Sequence, residues 1–439
     1  MAAHDGIRLY LCRPVLGAMS RGASIRNGES VEEALLKVAT RRIARVGYSA
    51  TSMRDIADDV GVAVAASYHH FEGKSAILRE IVERGYRELN ARLAAVIESE
   101  TGPDATLEAL VRELVLAMMA EFDFATAARF DRRAILDTMG GRYGELRDVA
   151  TGLLESALRD GQGAGLLRDD IDHRTAGRII SGMWNWLPDW SLPERDGGRR
   201  LAESLARIAR YGVLGGASID GRSLTTRQRR AKPRPAKGAA AGSVGRSGAT
   251  LDRREERLAK IHNDAARGFA EVGYDAAGLA DLCRWTNISR GALYRYIGSK
   301  QELLVAIMTN YIDAVSAAVD AVDIEEPAET LRRWATAVVT VQRDRTSAAR
   351  IVLNERRALP PADRDRITAR LAAVDSLPRA IIPRLAGLRE PPDIAANALL
   401  GMVHASHLWF REGELSPDEL ARFTVDIFLR GMTPNRRNL

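Results

Sequence analysis

The chain carries an internal repeat, and this repeat constrains the fold more than any other feature of the sequence. Residues 46–78 align with residues 272–304 at a constant offset of 226, without a gap, and nine of the thirty-three pairs are identical. The similarity resumes late in each half at an offset of 219, where Gly212 aligns with Gly431. A repeat that covers nearly the whole chain predicts one structural unit that is used twice.

Apolar residues in both units recur with the period of a helix, for example between residues 35 and 60, and no useful stretch alternates with the period of a strand. Ser30 with Glu33 has the pattern of a capping box, which predicts the first helix. Asp252 with Glu255 predicts a comparable helix start in the second unit. The sequence therefore predicts an all-α fold with two tandem units.

The length and the cysteine content limit the class of protein. A chain of 439 residues is long enough for several domains, each with its own core. The two cysteines, Cys12 and Cys283, are too few and too far apart for a disulfide framework, which favours a reduced, cytoplasmic protein. No apolar run approaches the roughly 18 residues that a membrane span needs. We interpret the stretch from Ile7 to Met19 as part of a flexible extension and not as a signal peptide.

Positive charge is concentrated in one segment between the units. Eight Lys/Arg and no acidic residue lie between positions 222 and 246, whereas the net charge of the whole chain is +6. The surrounding segment, 215–250, is rich in Gly, Ala, Ser and Pro and lacks a hydrophobic period, so it is predicted to be a linker. The linker is either a solvated tether or a tether that also attracts nucleic-acid phosphates.

The segment from Ser52 to Phe71 has the pattern of a helix-turn-helix. Thr51 or Ser52 is a good helix cap, and Gly61 suits the left-handed residue of a tight turn. The second unit has Asn287 at the turn, which is the next best residue for a positive φ. The sequence therefore predicts helix-turn-helix motifs over 52–71 and 278–297.

These residues resemble a known family. Gly47-Tyr48, Thr51–Ala57, Gly61-Val62, Tyr68–Phe71 and Lys74 are similar to the N-terminal domain of TetR-family transcriptional regulators. The same pattern recurs in the second unit from Ser289 to Tyr294, with Lys300. The resemblance implies two fused members, divided into an extension (1–28), a DNA-binding domain (29–89), a helical regulatory domain (90–214), the linker (215–250), a second DNA-binding domain (251–315) and a second regulatory domain (316–439).

The start of each recognition helix is expected to enter the major groove of double-stranded DNA. Arg290 has the chemistry to bond guanine with two hydrogen bonds, whereas Ala63, Val64 and Ala65 offer only apolar contact. Tyrosines, His69, Arg295 and lysines nearby suit phosphates, although the tyrosines could instead be core residues. The candidate DNA-contacting residues are Thr51, Ser52, Arg54, Ala63, Val64, Ala65, Tyr68, His69, Lys74, Ser289, Arg290, Gly291, Tyr294, Arg295 and Lys300.

The late aromatic residues of each unit are predicted to pack in the core and at a dimer interface, or to line an effector pocket. The candidate effector-binding residues are Arg129, Asn185, Trp186, Trp190, His404 and Trp409. The resemblance implies a small-molecule effector of the lipid or acyl-CoA class, and no cofactor or metal is expected.

Two other classes of function compete with a regulator. His404 and His407 are three residues apart on a predicted helix and could hold a metal in an enzyme, but no third ligand is evident. The chain could also be a helical protein-interaction scaffold that no longer binds DNA. The residues favour a non-enzymatic, effector-responsive regulator, and a repressor over an activator. It is expected to act as an intramolecular pseudo-dimer or as a homodimer of tandem chains.

Overall fold

The computed structural model describes residues 29–99, 102–189, 198–215, 246–410 and 415–433. Regular structure within these ranges is helical, apart from an isolated bridge between Leu167 and Leu214. The all-α prediction is therefore confirmed.

The helices of the first unit follow the predicted order of a DNA-binding domain and a regulatory domain. They are α1 (Val31–Val46), α2 (Met53–Val60), α3 (Val64–His70), α4 (Lys74–Ser99), α5 (Pro103–Ala120), α6 (Phe122–Phe130), α7 (Arg132–Met139), α8 (Gly141–Gly163), α9 (His173–Asn185) and α10 (Arg199–Val213). Ser30 caps α1, since its hydroxyl accepts a hydrogen bond from the Glu33 N–H at 3.1 Å. Helix α4 runs through the expected boundary at residue 89, so the two domains share this helix.

The second unit repeats this order, except that a short 3-10 turn (Arg356–Ala358) takes the place of α7 and two helices take the place of α8. Its helices are α11 (Arg246–Val272), α12 (Leu279–Thr286), α13 (Arg290–Ile297), α14 (Lys300–Asp320), α15 (Pro327–Asp344), α16 (Thr346–Asn354), α17 (Pro361–Val374), α18 (Ser376–Ile381), α19 (Pro392–His404) and α20 (Pro417–Met432). Helices α5 and α15 both begin at a proline and have 18 residues, which places equivalent positions 224 residues apart. Several helices start at proline because the first turn does not use that N–H.

The start of the second unit differs from the prediction. Asp252 was expected to cap its first helix, but α11 already begins at Arg246, within the segment that was predicted to be linker. The residues Arg246 to Leu251 contain no proline, so every backbone N–H is available and the helix extends upstream in spite of Gly248, a weak helix former.

Helix α14 is more apolar than the sequence analysis allowed. It is long and apolar enough to cross a membrane, by length and composition alone. Its apolar face is nevertheless buried inside the protein, where Leu303, Ile307, Tyr311 and Val315 belong to the core. These contacts explain its composition as that of a core helix.

The two units pack against each other through their last helices. Helix α9 packs on α19, and α10 packs on α20. At the first contact the backbones nearly touch, because a Cβ added to Gly182 would lie 2.6 Å from the carbonyl oxygen of Gly401, and the reverse substitution gives the same distance. Small residues therefore allow the close approach, and the contact is reciprocal between equivalent residues of the two units.

The contact between α10 and α20 has the same symmetry. A Cβ added to Gly212 would lie 2.5 Å from the carbonyl oxygen of Ile427, and one added to Gly431 would lie 2.5 Å from that of Ile208. The equivalent positions in these helices are thus 219 residues apart, as the repeat predicts.

Candidate nucleic-acid interface and effector cavity

The first helix-turn-helix has the predicted cap and turn. The Ser52 hydroxyl accepts a hydrogen bond from the Asp55 N–H, and the Asp55 carboxylate accepts one from the Ser52 N–H, which completes a capping box. This bonding lowers the pKa of Asp55. Gly61 has φ +86°, in the left-handed region. The Thr51 side chain is buried and its hydroxyl donates to the Gly47 carbonyl, so it holds the turn and does not face solvent.

The recognition helix α3 presents a mostly apolar and aromatic surface. Ala63, Ala65, Tyr68 and His69 are exposed, and Val64 is half-buried. The side chain of Tyr68 is 53% exposed, which is unusual for a large aromatic residue that has only a core role. Ser52 and Arg54 are also exposed at the start of α2.

The second motif presents different chemistry at the same place. Asn287 has φ 51° and ψ 50°, as predicted for the turn. Ser289 and Arg290 are exposed at the start of α13, together with Gly291, Tyr294 and Arg295. The two recognition helices therefore present unlike groups to solvent.

The packing of the first two helices also differs between the units. In the first unit the Arg42 Nη1 and Asp59 Oδ2 atoms form an ion pair at 2.7 Å. The equivalent residues, 226 positions later, are Gly268 and Trp285, and the Trp285 ring occupies the space that a Cβ on Gly268 would need. The loss of a side chain at Gly268 makes room for the larger ring of Trp285, so the two helices stay packed together in both units.

Lys74 and Lys300 contact their own domains. Lys74 Nζ donates to the Tyr48 carbonyl at 2.7 Å and lies 4.1 Å from the centre of the Tyr48 ring. Lys300 Nζ lies 4.2 Å from the centre of the Tyr274 ring, in the same arrangement. Partial burial lowers the pKa of both ammonium groups. These lysines join α4 and α14 to the turn before the helix-turn-helix, a structural role that the sequence analysis did not predict.

A carboxylate from each regulatory domain reaches the same turn. Asp131, between α6 and α7, accepts a hydrogen bond from the Tyr48 N–H at 2.8 Å, and burial raises its pKa. Glu355, after α16, accepts one from the Tyr274 N–H. Burial, followed by the charge of Asp275, raises the pKa of Glu355 to about 7. Both regulatory domains are thereby bonded to the backbone of their DNA-binding domains.

A cavity of about 1000 Å³ lies in the first regulatory domain and extends to the second unit. Part of its wall is apolar, from residues such as Leu89, Leu114, Met118 and Phe124. Its charged lining consists of six arginines and three carboxylates, which are Arg129, Arg132, Arg133, Arg147, Arg178, Arg350, Asp148, Glu155 and Glu355. The cavity thus combines apolar surface with an excess of positive charge.

Five of the six candidate effector residues divide into three groups. Arg129, Asn185 and Trp409 line this cavity. Trp186 lies beside it, since the Arg129 guanidinium is 4.6 Å from its ring centre and the His404 and His407 rings also contact it. Trp190 lies outside the described residues. Sequence reasoning missed the arginines on α7, α8 and α9, because a charged residue on a helix usually marks a solvent-facing side.

Large and polar side chains occupy the equivalent positions in the second unit, where a smaller cavity of about 400 Å³ lies on the other side of Tyr311, next to α11. Tyr311 occupies the position of Gly85, Gln342 that of Met118, and His404 that of Asn185, all of them buried. The Ser406 hydroxyl donates to Gln342 Oε1 at 2.5 Å, and Gln342 Nε2 lies 3.4 Å from His404 Nδ1. These side chains form one hydrogen-bonded group in the core.

The arrangement of His404 and His407 argues against a metal site. His404 Nε2 is 2.9 Å from Asp375 Oδ1, whereas His407 Nδ1 is 2.5 Å from the His404 carbonyl oxygen. Burial lowers the pKa of His407 to about 3. No group of three potential ligands occurs among the described residues. Both histidines pack in the core, and His404 does not line the large cavity.

Comparisons with known proteins agree with the repeat. The family described as "Bacterial regulatory proteins, tetR family" matches residues 35–81 and 261–307. The family described as "Tetracyclin repressor-like, C-terminal domain" matches residues 100–215 and 325–432. Each match occurs once in each unit.

Individual relatives are similar over less than half of this chain. The HTH-type transcriptional repressor KstR2 of Rhodococcus jostii is 30% identical over 151 residues, which are 33% of this chain and 72% of the relative. KstR2 of Mycolicibacterium smegmatis is 26% identical, over 43% of this chain and 90% of its own length.

Solved structures give similar coverage. The TetR-family regulator PfmR of Thermus thermophilus is 29% identical, with a TM-score of 0.36 over 39% of this chain and 97% of that chain. The KstR2 structure of Mycobacterium tuberculosis is 23% identical, with a TM-score of 0.40 over 43% of this chain and 96% of that chain. Because both domain families match in order and twice, the chain belongs to the TetR family of bacterial transcriptional regulators.

Proposed function

We propose that the protein is a repressor in which one chain supplies both halves of the DNA-binding assembly. The relatives described above are named repressors, which supports this direction of regulation. The packing of α9 on α19 and of α10 on α20 supports the proposal, because equivalent helices of the two units contact each other within a single chain. Such a regulator would act in the cytoplasm, where the DNA is.

The proposed DNA contacts are those of the exposed residues on and before α3 and α13. In the first unit they are Ser52, Arg54, Ala63, Val64, Ala65, Tyr68 and His69, and in the second they are Ser289, Arg290, Gly291, Tyr294 and Arg295. Arg290 would read guanine, whereas Ala63 and Ala65 would contact a thymine methyl group. Since the two helices differ, the operator should have unlike half-sites about 34–36 Å apart.

The assembly is tested by selecting binding sites from random duplex DNA and by light scattering. We expect a scattering mass near 48.0 kDa for the free protein, and a selected site without palindromic symmetry. A mass of two chains together with a palindromic site would overturn the proposal. Equal affinity for all selected and unselected DNA would instead favour a scaffold that does not read sequence.

The proposed effector site is the cavity of the first unit. Apolar walls favour an aliphatic group, and the excess of arginines favours an anionic group. An amphipathic anion of the lipid or acyl-CoA class meets both requirements. Arg129, Asn185 and Trp409 are retained as effector contacts, and Arg132, Arg147 and Arg178 are added.

The difference between the interiors of the two regulatory domains supports one effector molecule for each chain. Tyr311, Gln342 and His404 fill the second unit where the first has Gly85, Met118 and Asn185. Ligand binding there would have to break a buried hydrogen-bonded group, which is costly. The second unit would therefore hold no effector molecule of its own and would respond to the one bound in the cavity of the first.

Titration calorimetry with dodecanoyl coenzyme A, and with dodecanoate in parallel, tests this site. We expect one molecule of probe for each chain, release of operator DNA, and at least tenfold weaker binding by Met118→Trp, which fills the cavity. Ile324→Trp is the matched control, because Ile324 is 65% exposed and lies outside the cavity. Two molecules for each chain, or wild-type affinity of Met118→Trp, would refute the site, and binding of neither probe would refute the ligand class.

A further inference from the structure

The surface between the two units carries charges at equivalent positions with opposite sign. Equivalent residues of α10 and α20 are 219 positions apart, as the contacts of Gly212 and Gly431 show. By this rule Arg207 of the first unit occupies the position of Asp426 in the second. Ser204 likewise occupies the position of Phe423.

Each of these two charges is matched by an opposite charge on the other unit. Arg207 donates from Nε and Nη2 to the carboxylate of Glu390, at 2.6 and 2.9 Å. The Ser204 hydroxyl donates to the same carboxylate at 2.6 Å. The Glu390 side chain is only 2% exposed, so its charge depends on these donors.

The second pair has the reverse polarity. The Arg168 guanidinium, before α9, forms an ion pair with Asp426 on α20, and Asp426 is also bonded by Arg430 at 3.2 Å. The Arg168 side chain is 5% exposed and is further paired with Asp170 of its own loop. Each end of the interface is therefore an ion pair between unlike units with at least one buried member, Glu390 at one end and Arg168 at the other.

A pair of like units would lose this match. In two copies of the first unit, Arg168 of one copy would face Arg207 of the other instead of Asp426. In two copies of the second unit, Arg389 would still face Asp426, because its N–H bonds the Met432 carbonyl as that of Arg168 bonds the Val213 carbonyl. Glu390, however, would face Phe423 and Asp426 instead of Ser204 and Arg207. Each case leaves a buried charge against an apolar group or a like charge, which disfavours the wrong partner.

We infer that the opposite charges at positions 207 and 426 make the interface specific for one first unit with one second unit. This inference rests on the proposed pairing of the units and adds the rule by which they select each other. The rule predicts that exchanging the two charges converts the interface from unlike to like pairing. Because each chain carries both units, like pairing requires a second chain.

The test is light scattering on the full chain with Arg207→Asp and Asp426→Arg combined. Within the chain, this double variant places a guanidinium at position 426 next to that of Arg168. It also places a carboxylate at position 207 next to that of Glu390. It makes each unit complementary to its own copy instead, so we expect a scattering mass at least twice the 48.0 kDa of one chain. Reversing the exposed Arg142–Glu145 pair of α8 in the same way is the control, and its mass should stay that of the wild type.

A second variant restores the match and covers the case in which the first one unfolds. Adding Arg168→Asp and Glu390→Arg to the double variant again gives opposite charges between unlike units, so its mass should return to one chain with native helicity by circular dichroism. A double variant that remains folded as one chain, or a fourfold variant that is not restored, would overturn the inference. A wild-type mass of two chains would instead refute the proposed intramolecular pairing.

Discussion

Glu355 is expected to make the stability of the protein fall as the pH rises from about 5 to 8. Its pKa is about 7 in the folded protein against an ordinary value of 4.5. Between these values the folded chain retains a proton that the unfolded chain has released, so raising the pH favours unfolding. At about 1.4 kcal/mol for each pH unit, the loss is at most about 3 kcal/mol.

Glu355→Gln removes this titration and keeps an oxygen that can accept the Tyr274 N–H. The variant should unfold at the wild-type temperature near pH 4.5 and be more stable at pH 8, where the wild-type carboxylate is ionised. With about 2–4 °C for each kcal/mol in a unit of this size, we expect a difference of several degrees at pH 8.

Scanning calorimetry at half-unit steps of pH measures this difference. The matched control is Glu256→Gln on α11, an exposed position, where the unfolding temperature should follow the wild type at every pH. A difference between Glu355→Gln and wild type that does not grow from pH 5 to 8 would refute the reasoning, because it would show that burial does not perturb this carboxyl.

Three further predictions concern DNA and the interface. Arg290→Ala should cost about 1–3 kcal/mol on the selected site and relax the preference at one base pair, measured by titration against mixed-sequence DNA; an equal loss on every sequence would contradict direct readout. Neutralising the eight basic residues from 222 to 246 should reduce nonspecific affinity and its salt dependence with little change in base preference, and unchanged values would make the segment a simple tether. Gly212→Leu should lower the unfolding temperature, because its Cβ would lie 2.5 Å from the carbonyl oxygen of Ile427; Gly163→Leu, where an added Cβ meets nothing within 4 Å, is the control, and equal effects would exclude the close approach as the cause.

Local patterns in the sequence were sufficient for the helix-turn-helix motifs. Gly61 and Asn287 indicate the left-handed turn, and Ser52 indicates the cap, because these features depend on residues within a few positions of each other. The start of α11 was missed since a helix without a strong cap can extend through a segment of neutral propensity.

Features that depend on the meeting of distant segments could not be predicted in the same way. Arg168 and Asp426 are 258 residues apart, and each alone has the pattern of a solvent-facing charge. His404 and His407 had metal-like spacing, but the neighbours that bury them come from other helices, including Gln342 and Trp334. Spacing along one helix predicts the direction in which a side chain points, but it does not predict which residues of other helices the side chain contacts.

The segment from Arg129 to Arg133 links the cavity to both DNA-binding domains. This link is the physical route that we propose for the release of operator DNA when an effector binds. Arg129 and Arg132 line the cavity, and Asp131 between them accepts the Tyr48 N–H of the first DNA-binding domain. Arg133 Nη1 donates to the Glu271 carbonyl oxygen at 2.6 Å, at the end of α11 in the second. Arg133 also lines the cavity, so a ligand that binds the arginines of this segment would act on groups that hold both DNA-binding domains, with Asp131 between them in the chain. One effector molecule in the cavity would then disturb the spacing of both recognition helices. The second unit would not need an effector of its own for the whole operator to be released.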